Sequence, residues 1–183
     1  MTQAELTFSI RPAQPEDALN IARLHTVGWD ISNPAILSTE VLEDQPLEER
    51  RDGWLEWIQD QRGVLLVAVD QYGRPSAFIC IRPDLPPLDA AHFDAEVTHH
   101  YVAPERQAMG LGRRLLVAGA KAAAALGWTR LMARVFLGNP ASGFFRHCGA
   151  RLIAERVVRV GGVQVAETAY GWDDVEDLIS ANG

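Results

Sequence analysis

The stretch Gln107-Ala108-Met109-Gly110-Leu111-Gly112 constrains this chain more than any other, because it puts two glycines where a helix begins. From there Leu111, Leu115, Ala118, Ala122 and Leu126 recur on one helical face, and Gly127 ends the run. Ahead of the glycines, Ala95 to Val102 reads as a strand stopped by Pro104. A strand, a glycine turn and an amphipathic helix in that order expose backbone N–H groups without internal partners, plus the positive end of the helix dipole. Glycine lets an anion approach that backbone with no Cβ in the way. Arg106, Arg113 and Arg114 add positive charge beside the turn. A pyrophosphate suits such a place. The dinucleotide fingerprint G-x-G-x-x-G does not fit, since Leu115 stands where its third glycine belongs, and no G-K-[ST] marks a nucleotide P-loop.

The remaining pattern supplies a sheet for that helix to cover. Thr7 to Arg11 reads as a short strand, and Pro15-Glu16-Asp17 opens a helix whose apolar face (Ala18, Ile21, Ala22, Leu24, Val27) reaches about to Trp29. Leu47, Trp54, Leu55 and Ile58 mark a second helix over roughly 46–61. Val64–Val69 and Ser76–Arg82 form a hairpin pair across a turn at Asp70–Arg74. Arg130–Phe136 reads as a strand, Pro140–His147 as a short helix, and Ala150–Val160 with Val163–Tyr170 as strands joined at Gly161-Gly162. The order β-α-α-β-β-β-α-β-α-β-β predicts an α/β (α+β) fold, a mixed sheet with helices on both faces. Gly119, inside the long helix, predicts a close packing contact there.

With 183 residues, 48% of them hydrophobic, the chain suits one domain with a single core. A net charge of −7 argues against nucleic acid as the main partner. No basic-then-apolar leader opens the sequence, and no apolar stretch is long enough to span a bilayer, so a cytoplasmic protein with no membrane partner is expected. Cys80 and Cys148 make neither a disulfide framework nor a metal motif. His99 and His100 are adjacent on a strand and point to opposite faces, so with His92 they are not expected to share a metal ion.

The segment Tyr101-Val102-Ala103-Pro104, followed by Gln107-Ala108-Met109-Gly110-Leu111-Gly112, resembles the signature [R/Q]-x-x-G-x-[G/A] of the GNAT superfamily of acyl-CoA N-acyltransferases. A second segment, Gly138-Asn139-Pro140-Ala141-Ser142-Gly143-Phe144-Phe145 through Gly149, resembles that family's asparagine-to-glycine stretch in the right order and spacing. The resemblance spans nearly the whole chain. It implies a mostly antiparallel sheet splayed at the cofactor site, with acceptor-side helices over about 15–61, a cofactor-binding core over about 95–150 and a C-terminal hairpin over about 150–172. It further implies acetyl-CoA as the acyl-donor cosubstrate and an amine acceptor on a small molecule or peptide. Backbone amides of Gln107, Ala108, Met109, Gly110, Leu111, Gly112 and Arg113 would hold the pyrophosphate. Pantetheine would lie as a pseudo-strand beside Tyr101 and Val102, with Asn139 on its amides and Phe144 and Phe145 at the thiol end. Trp29, Asp30 and the Ile31–Leu37 stretch would face the acceptor. The terminal hairpin offers an edge for a homodimer.

Transfer to an amine requires a group to take the amine's proton and a donor for the thioester oxyanion. The resemblance points to Glu96 as the base and, as its other role, an acceptor anchor. In an unbroken strand Glu96 shares its face with Thr98 and His100. His100 is the second candidate for the proton, with an ordinary pKa near 6.5. The oxyanion donor is expected to be a backbone N–H near Val102. Phe145 departs from the family, where a tyrosine often protonates the leaving thiolate; a phenyl ring has no proton to give. That departure leaves open a non-catalytic acyl-CoA sensor beside the N-acetyltransferase, and an acyltransferase of the same fold with a longer acyl donor is a further alternative.

Overall fold

Val64–Val69, buried at every position, can only be an interior strand, and the sheet is built outward from it. The computed structural model describes residues 7–32, 46–83, 85, 92–160 and 162–183, apart from the side chains of residues 30–32. Seven strands make one sheet: β1 (Ser9–Pro12), β2 (Val64–Val69), β3 (Pro75–Arg82), β4 (Ala95–Val102), β5 (Leu131–Phe136), β6 (Arg151–Val160) and β7 (Val163–Trp172). Their spatial order is β1-β2-β3-β4-β5-β7-β6, antiparallel throughout except where β4 meets β5. Val160 pairs with Val163 across the tight β6–β7 turn that the glycine pair predicts.

Helices cover both faces. On one side α1 (Ala18–Ser32) and α2 (Leu47–Asp60) pack Ile21, Ala22, Trp54 and Trp57 against Val67, Phe78 and Cys80. On the other, α3 (Leu111–Ala125) buries Leu111, Leu115 and Leu116 against Ile79, Ile81 and Val97, with α4 (Ala141–His147) beside it. A Cβ on Gly119 would meet Ile79 Cδ1 at 2.9 Å, which is the close helix–sheet contact expected there. A fifth helix, α5 (Val175–Asn182), extends the predicted element order. Asp174 caps it by accepting from the Glu176 N–H at 2.9 Å, while Val175 and Leu178 bury against the α3 side. The signal was present as an Asp followed by acids in a first turn and two spaced apolar residues. No helix among the described residues is long and apolar enough to cross a membrane.

Candidate active site

The parallel pair β4–β5 holds together for only two rungs, Ala95↔Leu131 and Glu96↔Met132. Beyond Glu96 both strands run on without a common ladder, so main-chain groups on that edge of β4 face an opening. The Ala103 N–H donates to the Ser76 carbonyl at 2.9 Å on β3. By the alternation of an extended strand, the preceding Val102 N–H points the other way, into the gap.

At the top of the gap the chain turns into α3. Gly110 occupies the N-cap with φ +75°, a left-handed conformation that costs glycine nothing, and Ala108 also has φ +58°. No side chain caps this end, so the first-turn amides of Leu111, Gly112 and Arg113 are left for a ligand. Gln107 ties the loop down: its side-chain amide donates to the Val102 carbonyl at 3.0 Å. His100 holds the helix start, its Nε2–H donating to the Gly112 carbonyl at 3.0 Å while its ring stacks on Phe144. Of the three flanking arginines, Arg113 lines the opening. Arg114 instead donates to the Phe8 carbonyl, and Arg106 lies over the Phe8 ring.

The opening is a cavity of about 580 Å³ that gathers most of the residues predicted for a cofactor: Tyr101, Val102, Gln107, Ala108, Gly110, Gly112, Arg113, Asn139 and Phe144. Met109 is half exposed on the loop, and the Leu111 side chain belongs to the core. Asn139 lines the cavity just ahead of α4 and accepts from the Ala141 N–H at 2.9 Å through its side-chain oxygen, so its amide N–H groups remain as donors. Phe145 is buried edge-on against Trp172 and lines a second, smaller cleft of about 150 Å³ with Trp29, His99, Tyr101, Arg134 and Phe136.

The splayed strand pair beside a glycine helix start is the fold that the sequence resemblance implied, and comparison with known proteins agrees on the family and the fold. Residues 30–150 match the profile of the acetyltransferase (GNAT) family. The chain belongs to the GNAT family. It is 28% identical over 170 residues to YuaI, an uncharacterized N-acetyltransferase of Bacillus subtilis, covering 93% of this chain and 95% of YuaI. In fold it is similar to an N-acetyltransferase from Staphylococcus aureus Mu50, with TM-score 0.69 and 21% identity over 92% of this chain and 99% of the other. It is also similar to YncA from Salmonella typhimurium, solved with its cofactor acetyl-CoA, with TM-score 0.67 and 21% identity over 91% and 93% of the two chains.

Along β4 this GNAT chain departs from the sequence expectation at one point. The β3–β4 register shifts between Cys80↔His99 and Ile81↔Val97, so Thr98 is an extra residue, a β-bulge. The bulge reverses the alternation. Glu96 therefore does not share a face with His100: it lies on the α1–α2 side with His99 and Tyr101, whereas His100 lies on the α3 side. Glu96 is buried and joined through both carboxylate oxygens to Arg134, whose Nε donates at 3.0 Å. Arg134 lines the small cleft; Glu96 itself is not part of that lining.

His25, to which the sequence analysis gives no role, stands beside His99 on the α1–α2 face. Their rings meet edge to face at 4.6 Å, enclosed by Trp54, Phe78 and Tyr101. Thr98 bridges His99 Nδ1 at 3.0 Å. Desolvation pushes His99 down to about 3 and His25 down to about 4, and desolvation takes His100 down to about 4. All three are neutral imidazoles at neutral pH. His25 could have been found by extending the α1 stripe, since Ala18, Ile21, Ala22, His25 and Trp29 follow one helical face. Trp29 meets Phe136 edge-on at 6.2 Å and walls the small cleft. The expectations for the Asp30 side chain and residues 33–37 lie outside the described residues. Among the described residues no group of three or more His, Cys, Asp or Glu could hold a metal ion.

Proposed function

We propose that this chain transfers an acetyl group from acetyl-CoA to a primary amine of a small molecule or peptide, by direct attack within a ternary complex. The observation that carries this reading is the short β4–β5 pairing: it opens the sheet beside an uncapped helix start, as a pyrophosphate with an extended thioester arm requires. In this proposal the amides of Gln107 to Arg113 hold the pyrophosphate, and pantetheine runs along Val102 toward Asn139. The thioester oxygen takes a hydrogen bond from the Val102 N–H.

The bulge separates the two candidates for the amine's proton. Glu96 stands at the closed end of the gap on the face that α1 and α2 cover, and it is assigned the proton. His100 spends Nε2–H on the Gly112 carbonyl, and its proposed part is to hold the phosphate turn. Phe145 supplies no acid, so the thiolate leaves unassisted by that residue.

Release of free thiol from acetyl-CoA against a panel of amines tests the whole reading. Glu96→Gln is expected to lower kcat about 100-fold or more at neutral pH, with recovery at high pH where the free amine predominates. Unchanged kcat removes Glu96 from the proton transfer. Tight binding of acetyl-CoA with no thiol release on any amine replaces the enzyme with a sensor, and a faster reaction with butyryl-CoA replaces the acetyl donor.

A further inference from the structure

β4 carries two adjacent histidines, and their partners hold the two rings in opposite tautomers. A carbonyl only accepts, so His100, 3.0 Å from the Gly112 carbonyl, carries its proton on Nε2. His99 instead meets the Thr98 hydroxyl through Nδ1 at 3.0 Å. That hydroxyl donates to the Cys80 carbonyl at 3.4 Å, so toward His99 it accepts, and Nδ1 carries the proton. Burial keeps the His99 ring neutral. Its Nε2 is therefore a bare lone pair.

That lone pair has a place to act. His25 Nδ1 is sealed away without a partner, whereas His99 lines the small cleft and keeps part of its surface open. No hydrogen bond reaches its Nε2 among the described residues. Other side-chain acceptors of the cleft are engaged: Glu167 by Arg156, and the Asn139 oxygen by the Ala141 N–H. Arg134 only donates and is paired with Glu96, and the Tyr101 hydroxyl is a donor as well as an acceptor. On the Glu96 face of β4, His99 Nε2 is thus a lining group that accepts, cannot donate and is not already engaged.

We propose that His99 orients the acceptor amine: the neutral amine donates one N–H to Nε2, which aims its lone pair at the β4–β5 gap. Thr98, the extra residue of the bulge, is the positioning residue that sets the tautomer. Glu96 stays the proposed destination of the amine's proton, and no covalent bond forms at His99. This inference rests on the N-acetyltransferase reading for its reaction, but not for the tautomer or the amine site. The ring walls of Trp29, Phe136 and Phe145 suit an amine carried on an apolar or aromatic group, so 2-phenylethylamine is the probe.

Nuclear magnetic resonance correlations between ring protons and ring nitrogens, in histidine-labelled protein, read the tautomers directly. The expected result is a protonated Nδ1 in His99 and a protonated Nε2 in His100. Thr98→Val should release His99 from that form and Thr98→Ser should keep it. A His99 ring protonated at Nε2 overturns the proposal. Adding 2-phenylethylamine, or the amine that turns over fastest, should shift the His99 Nε2 signal and leave that of His100 in place. In turnover of that amine, His99→Asn and Thr98→Val should lower kcat/KM about 10-fold, the worth of one neutral hydrogen bond. His99→Gln, whose amide oxygen reaches the place of Nε2, and Thr98→Ser should stay within about threefold of the parent. KM for acetyl-CoA should stay within about twofold in all four, since neither residue lines the larger cavity. Melting temperatures within a few degrees of the parent show that each variant folds. Equal losses in His99→Asn and His99→Gln, or an equal loss in the use of acetyl-CoA, overturn the orienting role. If no amine is acetylated, a shifted Nε2 signal keeps the amine site and overturns the reaction. No shift with any amine overturns the site.

Discussion

The two clefts that meet at β4 are built from different materials. The larger is a backbone device: a strand that loses its neighbour after two rungs, a left-handed Gly110 and a helix start with no side-chain cap. The smaller is a side-chain device, lined by rings of α1, α4, β4 and β5 and by Arg134, which pairs with the buried Glu96 behind it. A backbone cleft tolerates many sequences but demands small residues at a few points. A side-chain cleft has no such fixed points, and its stability is tied to whether each polar group keeps its partner. The Thr98 bulge adds a difference of faces, since it sets Glu96 on the His99 face of β4, opposite His100.

The largest effect is expected on the acceptor side. Glu96 and Arg134 have side chains 11% and 13% exposed, so Arg134→Met strands a carboxylate away from water. Breaking such a pair costs about 3–5 kcal/mol. For a chain of this length that lowers the melting temperature by on the order of 10 °C. Acetyl-CoA affinity, if the clefts are separate devices, should stay within about threefold. The double variant Glu96→Met/Arg134→Met should recover most of the melting temperature, since neither charge is then left alone. A fall in acetyl-CoA affinity as large as the fall in stability breaks the division.

On the donor side, Gly112→Val comes next. A Cβ there already meets His100 Cε1 at 3.3 Å and Phe144 Cε2 at 3.6 Å, so two further methyl groups enter the cavity or displace those rings. Calorimetric titration should show acetyl-CoA binding weakened about 100-fold, equivalent to about 2.7 kcal/mol, with a smaller loss of melting temperature. Unchanged affinity would mean that the ligand does not lie against this turn.

The larger cleft was legible in the sequence and much of the smaller was not, for the reason just given. Gly110, Gly112 and Asn139 are demanded by backbone geometry, so their spacing survives as a motif. Strand β2 announces itself by an apolar run, and the predicted Gly119 contact is where periodicity put it. The face assignment of Glu96 failed because a β-bulge is one extra residue with no compositional mark; His99-His100 reads the same with or without it. His25 was hidden differently: it sits on an apolar helical stripe, where a polar residue reads as noise until β4 is seen to bring His99 to the same place.

Acid should reveal both sides at once. Burial lowers His25 and His100 to about 4 and His99 to about 3 in the folded chain. The unfolded chain takes up these protons near the ordinary value of about 6.5. Because each folded value is depressed, stability is full above about pH 6.5 and is lost as pH falls toward about 4, at up to about 1.4 kcal/mol per pH unit per histidine. Melting temperatures between pH 7 and 5 should therefore fall steeply. His99→Gln and His100→Gln should each flatten the slope by about a third, but only His100→Gln, which frees the Gly112 carbonyl, should also weaken acetyl-CoA binding. A slope unchanged in both variants would mean that neither imidazole is held neutral.

The smallest effect is the most local test of the donor device. Gly119→Ala places a methyl at 2.9 Å from Ile79 Cδ1 and 3.1 Å from Ile81 Cδ1, both mobile ends of side chains on the sheet under α3. The gain in helix propensity, about 1 kcal/mol, opposes a comparable cost of crowding. The melting temperature should move by less than about 4 °C in either direction. Gly119 lies on the same helix as the phosphate turn but two turns beyond it. If the cavity is shaped by the turn itself, acetyl-CoA affinity stays within twofold of the parent, about 0.4 kcal/mol. A tenfold loss would show that the seating of α3 on β3, and not the glycine turn alone, sets the position of the amides, and the donor cleft would then depend on side-chain packing as the acceptor cleft does.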